Sequence, residues 1–185
     1  LDFSEFVAEN GSRREIEAGE HVFRQGQSDE SIYFVQKGLL KAYYLSADGK
    51  ETIKSFIQAG ELIGSLTSAY SKGECSFNLI AMDSTELLEL PFERIYETCR
   101  RDLEFSRIVV DALLAFAMKK ERREREFLSD SAETRYRTLV EESPALLKHV
   151  RQKDIARFLG ITPVALSRIR ARLLKIGKNH GSDSR

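Results

Sequence analysis

The stretch QKDIARFLGITPVALSRI, Gln152 to Ile169, places two helix-spaced apolar patterns on either side of a glycine. Ile155, Ala156 and Leu159 share one helical face. Gly160 follows where a helix should stop, in a slot that favours positive φ. Ile161 returns to the core. Thr162 is placed to cap a second helix, and Pro163 stands at its first position, where the missing N–H costs nothing. Leu166, Ile169 and Leu173 continue an apolar face. Ala156 has a reason to be small, since two helices crossing steeply would be held apart by a larger side chain. This is a helix-turn-helix pattern. An αα-hairpin used only for packing shares part of it.

In a helix-turn-helix that binds DNA, the N-terminal end of the second helix meets base edges in the major groove. Its outward face here carries Pro163, Val164, Ser167 and Arg168. Arg168 can make a bidentate contact to guanine, Val164 can touch a thymine methyl, and Ser167 can donate to a base or a phosphate. Thr162, Arg170 and Arg172 are better placed for phosphates, which set register rather than sequence preference. A solvated helix face is the alternative for Arg170 and Arg172.

The charge of the whole chain supports this reading. The formal net charge is +0, yet residues 1–128 hold 23 acidic and 17 basic side chains, and residues 129–185 hold 6 and 12. A basic end is where a polyanion binds. Ser131 reads as the N-cap of AETRYRTLVEE, and Pro144 punctuates the chain before the opening stretch.

Upstream, residues 102–128 run without glycine or proline, far longer than an average helix. Phe105, Ile108, Val109, Ala112, Leu113, Phe116 and Ala117 put apolar groups on more than one face. A helix lying on one sheet needs a single apolar stripe, so the second stripe implies a partner helix, most simply from another copy of the chain. KKERRERE, Lys119 to Glu126, has the mixed charges of a solvated face with i,i+4 pairs. PFERIYETC reads as a short helix with Pro91 in its first turn.

Residues 15–90 read as β. SIYFVQKG, LLKAYYLS, ETIKSFIQ, FNLIAMD and TELLELP are rich in β-branched and aromatic residues, and recurrent glycines separate them. ADGK, Ala47 to Lys50, is a hairpin signal. Short strands at this spacing make a sandwich or barrel. At 185 residues the chain holds one large domain or two small ones. Two cysteines, Cys75 and Cys99, give no disulfide framework and point to a reducing, cytoplasmic setting. No apolar run approaches the roughly 20 residues that cross a bilayer, and no secretory leader is visible. The start at Leu1 rather than methionine points to a trimmed N-terminus.

Taken together, the chain resembles the bacterial CRP/FNR family of transcription regulators. AGEHVFRQGQSDESIYFVQKGLLKAYYLSADGKE is similar to the family's β-roll repeat, GELIG (Gly60 to Gly64) to the start of its ligand cassette, and RQKDIARFLGITPVALSRIRARL to its DNA-reading unit. The resemblance covers nearly the whole chain. It implies an α+β fold in three parts. These are a double-stranded, jelly-roll-like β-roll sensor domain with short helices at 1–101, a dimerisation helix at 102–128 and a winged-helix-like helix-turn-helix domain at 129–185. It also implies a homodimer on double-stranded DNA with a near-palindromic operator, RNA polymerase as a further partner, and no membrane. An effector pocket is implied between β-roll and long helix, with Gly60, Glu61, Leu62, Lys72, Cys75 and Ser76 as its candidate residues.

The departures from the family are informative. Members that bind cyclic AMP hold the ribose with a glutamate and the phosphate with an arginine. Glu61 matches the glutamate, but Cys75 stands near the arginine position, and Lys72 is the single cation between Glu61 and Met82. Without a guanidinium fork a phosphate is hard to bury. The long helix has no Ser or Thr near Met118 to Glu121, where the base should lie. The expected effector is therefore an unidentified small molecule other than cyclic AMP, or none, and no cofactor is assigned. Two cysteines cannot hold an iron–sulfur cluster within one subunit. The histidines His21, His149 and His180 are scattered, so no metal site is expected. At the start of the reading helix, Pro163 and Val164 replace the arginine and glutamate of well-known members, whereas Arg168 is retained. The rival readings are a cyclic-nucleotide-binding-like module acting through protein contacts and a cupin-type enzyme. The helix-turn-helix argues against the first, and the lone histidine of the β region against the second.

Overall fold

A computed structural model describes residues 2–180, the last six by backbone alone. Contacts divide the chain into two compact units, residues 1–119 and 120–185. Among the described residues no helix is long and apolar enough to cross a membrane.

The first unit opens with α1 (Phe3–Asn10), started by a capping box in which Asp2 and Glu5 each accept from the other's backbone N–H. Eight strands follow: β1 (Ser12–Ile16), β2 (His21–Phe23), β3 (Ser31–Lys37), β4 (Leu39–Leu45), β5 (Glu51–Gln58), β6 (Leu62–Ile63), β7 (Asn78–Ala81) and β8 (Thr85–Pro91). A short helix, α2 (Leu66–Ala69), lies between β6 and β7. The strands form two four-stranded antiparallel sheets, ordered β1-β8-β3-β6 and β2-β7-β4-β5. This is the expected β-roll. The five quoted runs all contain strands, and β1, β2 and β6 were too short or too polar to declare themselves.

The facing sheets bury Val22, Tyr33, Val35, Leu40, Leu79 and Leu87 in one core. Phe23 and Phe77 meet edge-on there, ring centres 5.2 Å apart. The Tyr33 hydroxyl, caught in this apolar surrounding, donates to Asp29 at 2.8 Å. Burial raises the Asp29 carboxyl above the usual range, against the pull of that hydrogen bond. ADGK closes the β4–β5 hairpin as its sequence suggests, with Gly49 N–H donating to the Ser46 carbonyl at 2.9 Å.

Two further helices complete the body of this unit. The chain enters α3 (Phe92–Arg101) directly from β8. Pro91 is the last strand residue and the N-cap of α3, one position before the first turn that the sequence suggested for it. Its φ of −59° is compatible with both elements. α4 (Leu103–Ser129) has 27 residues and extends about 40 Å. Its third free N–H is capped by Asp102, which accepts from Phe105 at 2.9 Å. Phe105 packs against Phe6 of α1, ring centres 4.6 Å apart, with Leu90 beneath them. A second apolar stripe stays exposed on α4: Val110, Leu114 and Met118 at i, i+4 and i+8, with Leu113 beside them.

The second unit takes up the end of α4 and adds α5 (Ala132–Glu142), α6 (Pro144–His149), α7 (Gln152–Leu159) and α8 (Pro163–His180). Ser131 caps α5 by accepting from Thr134 N–H at 3.1 Å, and Pro144 opens α6. Among the described residues, Leu139, Leu146, Val150, Ile155, Ala156, Leu159, Leu166 and Ile169 are the buried apolar residues of this unit. Among the described residues this unit is wholly helical, so the strands of a wing are not among them.

One turn of the roll is held with no room to spare. Gly38 links β3 to β4 at φ 98°, and a Cβ there would lie 2.5 Å from Thr85 Oγ1 and 2.8 Å from the Ser84 carbonyl oxygen. Gly49 has φ 78° with open space around it. Gly49→Ala is expected to cost about 1–2 kcal/mol through backbone strain alone, and Gly38→Ala about 1–3 kcal/mol beyond that through overlap. Urea unfolding of both variants measures the difference, and equal midpoints would show that the Thr85 contact does not constrain the turn.

Candidate nucleic-acid interface

The turn of the quoted stretch forms as its residues require. Gly160 has φ 71° and ψ 27°, the left-handed end of α7, and its N–H donates to the carbonyls of Ala156 and Arg157. The next N–H, of Ile161, donates to the Ala156 carbonyl at 3.0 Å. These bonds satisfy carbonyls that the end of a helix would otherwise leave open. Thr162 Oγ1 accepts from Ala165 N–H at 3.2 Å and so caps α8. Ala156 has no exposed surface, and Leu159 and Leu166 are each 1% exposed.

The face of α8 that points outward carries the expected residues. Thr162, Pro163, Val164, Ser167 and Arg168 are all exposed. Among the described residues Arg168 has no hydrogen-bond or ion-pair partner, so its guanidinium is free to fork onto a ligand. Val164 is 61% exposed, an apolar side chain left in water at the start of the helix. The other two cations differ from Arg168. Arg170 is half-buried. Arg172 donates to Glu133 of α5 at 2.9 Å, and Glu133 also holds Arg137 at 2.9 Å. Five of the seven named residues thus share an open surface, Arg170 is partly withdrawn, and Arg172 has an internal partner.

The charged run before the reading unit departs from the solvated face that its sequence suggests. Arg122 keeps to that face, paired with Glu126 at 2.7 Å and with Glu142. Arg123 is withdrawn against the rings of Phe158, at 3.7 Å, and Phe127, at 4.7 Å. Burial lowers its pKa to about 10, with Glu126 opposing and the neighbouring Arg135 adding to the effect. Its charge persists at neutral pH. The sequence signal was present but ambiguous: Phe127 follows Arg123 by four positions, one helical turn away.

The effector-pocket candidates have other occupations. Gly60 and Glu61 form the turn into β6: Gly60 N–H donates to Val35 O at 2.8 Å, and the Glu61 carbonyl accepts from Val35 N–H at 3.0 Å. One Glu61 carboxylate oxygen accepts from Gln58 N–H at 2.8 Å, and the other is paired with Lys119 of α4. Lys72 is ion-paired with Glu30, and with Glu93 at 3.9 Å. Cys75 is 1% exposed, and burial pushes its thiol pKa up while the Ser68 and Ser65 hydroxyls work against that. Ser76 is exposed. Leu62 lines a cavity of about 120 Å³ with Ile32, Phe92, Phe105 and Val109, walled by apolar residues. These partners do not assemble a phosphate cradle. Among the described residues no group of three His, Cys, Asp or Glu could hold a metal ion.

Residues 13–102 match the cyclic nucleotide-binding domain family. The chain is 28% identical over 163 residues to the cyclic AMP receptor protein of Thermus thermophilus, covering 85% of this chain and 74% of that protein. Its architecture is that of FixK2 from Bradyrhizobium japonicum, at a TM-score of 0.77 and 18% identity, over 90% of this chain and 86% of that one. In these matches the chain is similar to regulators of the CRP/FNR family. It is also 37% identical over 84 residues, 45% of its length, to the transcriptional activator protein Anr of Pseudomonas protegens. That match spans 34% of the activator's own length.

Close crossing of α7 and α8 is the local condition for the outward face. Ala156→Leu adds bulk at a fully buried site and is expected to destabilise the second unit by about 1–3 kcal/mol. Denaturant unfolding followed by a probe in residues 120–174 measures it, and an unchanged midpoint would show that the two helices do not meet at Ala156.

Proposed function

We propose that this chain is a homodimeric, sequence-specific DNA-binding transcription regulator. The observation that carries this reading is the exposed Arg168 on α8, which has no partner among the described residues and lies on a helix capped by Thr162 after the tight Gly160 turn. A guanidinium so held is suited to the O6 and N7 acceptors of guanine in the major groove. Ser167, Val164 and Pro163 complete the surface that would face base edges, and Thr162, Arg170 and Arg172 lie where phosphates would run. In this reading residues 102–128 join two copies through the exposed stripe of Val110, Leu114 and Met118, and residues 129–185 form the reading domain. A two-fold dimer then prefers a near-palindromic operator with half-sites about 10 bp apart, one helical turn. RNA polymerase is the partner through which such a regulator, working in the cytoplasm, alters transcription.

Residues 1–101 form the sensor in this reading, with an effector other than cyclic AMP or none. What supports this is the local chemistry: Glu61 is engaged by Gln58 and Lys119, and a buried thiol stands near the position where a cyclic AMP receptor has its arginine. A cyclic phosphate would have to be desolvated with no guanidinium to receive it. The relatives' names describe regulators.

Selection of bound sites from random DNA tests the reading. Arg168→Ala is expected to cost about 1–3 kcal/mol at one guanine of each half-site and to leave other positions as they were. A uniform loss over all sequences would place Arg168 on the phosphate backbone instead. The wild-type chain should lose affinity steeply with salt, and cyclic AMP should leave that affinity unchanged. Indifference to DNA at low ionic strength would end the proposal, and enhancement by cyclic AMP would end its statement about the effector.

A further inference from the structure

Arg123, Phe127 and Arg135 form a cluster within the second unit that DNA reading does not itself use. The Phe127 ring has a guanidinium on it twice over: Arg123 from the same helix and Arg135 from α5, each 4.7 Å from the ring centre. Arg123 also lies over Phe158 and donates to the Phe158 carbonyl. Arg135 donates to the carbonyls of Asp130 at 2.6 Å, Leu159 at 3.0 Å and Glu126 at 3.3 Å.

Those carbonyls have something in common. Glu126 and Asp130 lie at the end of α4 and just past it, and Phe158 and Leu159 are the last two residues of α7. Helix ends leave carbonyls without intrahelical partners, and cations there also complement the helix dipole. Two arginines therefore tie the end of α4 to the end of the first helix of the helix-turn-helix pair. Phe127 is 42% exposed, so it is not a core residue that the unit needs for its bulk. Gly160 closes the arrangement, because a Cβ there would come within 2.9 Å of the Phe127 ring.

We propose that Arg123, Phe127 and Arg135 are positioning residues for operator recognition, a clasp that makes the last two turns of α4 and the helix-turn-helix one rigid body. This rests on the reading of the chain as a DNA-binding homodimer. The joint at Asp130 and Ser131 is then not a free swivel, and the distance between the two α8 helices of a dimer is inherited from α4. What the clasp controls is the spacing of half-sites, not the bases within them.

The test uses the full-length homodimer and operators whose half-site spacing is varied one base pair at a time. Phe127→Leu keeps apolar bulk and removes the aromatic face. Gly160→Asn admits the left-handed backbone and drives a Cβ into the ring, which reaches the clasp by a second route. Wild type should favour one spacing. In both variants its advantage over the neighbouring spacings should fall by about tenfold, the factor that a partly desolvated cation–π contact supplies. Base preference within the half-site should stay as it was. Spacing profiles identical to wild type, or an equal loss at every spacing, would overturn the clasp, since a merely structural residue weakens all operators alike. Failure of wild type to bind any operator would instead sink the DNA-reading proposal on which the clasp rests.

Discussion

A side chain at position 160 would have to hold φ near 71° and place its Cβ 2.9 Å from the Phe127 ring. Both demands fall on one residue, and both have the same origin: α7 must stop abruptly so that α8 can leave at an angle. The left-handed residue returns N–H groups to the carbonyls of α7, and the arginines of α4 and α5 take the carbonyls that remain. With the end of α7 satisfied in this way, α8 departs with its capped N-terminus and Arg168 in the open. A longer α7 would carry the chain past this point and bury or misdirect that face.

The first unit works under a different constraint. Its two sheets are small, so each strand contributes only one or two side chains to the core between them. Tyr33 is the largest fully buried side chain, and it brings a hydroxyl that must be bonded inside the roll. Asp29 answers that need, at the expense of being held in a site that disfavours its charge. Three of the effector-pocket candidates are engaged or sealed within the chain itself. Glu61 is bonded to Gln58 and Lys119, Lys72 to Glu30 and Glu93, and Cys75 is sealed. These internal contacts sit on a fold shared with cyclic nucleotide-binding domains.

Much of this was legible in the amino-acid sequence. Gly160, Thr162 and Pro163 each carry a local backbone preference, and local preferences do not depend on what the rest of the chain does. The same holds for ADGK at the β4–β5 turn, Ser131 at the start of α5 and the uninterrupted run that became α4. Strands β1 and β2 were less legible. SRREI buries only Ile16, and HVF is three residues long, so neither offers a periodic signal before its partner strand is in place.

The fate of individual charges was decided by the tertiary structure. In sequence Arg122 and Arg123 are adjacent members of one charged run. The helix turns them about 100° apart, so one reaches Glu126 and Glu142 while the other meets Phe127 and Phe158. Arg168 and Arg172 likewise lie four positions apart on α8, yet Glu133 of α5 reaches only the second. Backbone geometry and element order follow from short-range sterics and periodicity, and these the sequence determined. Which cation is free to read a ligand depends on what other elements bring near it, and that only the folded chain decided.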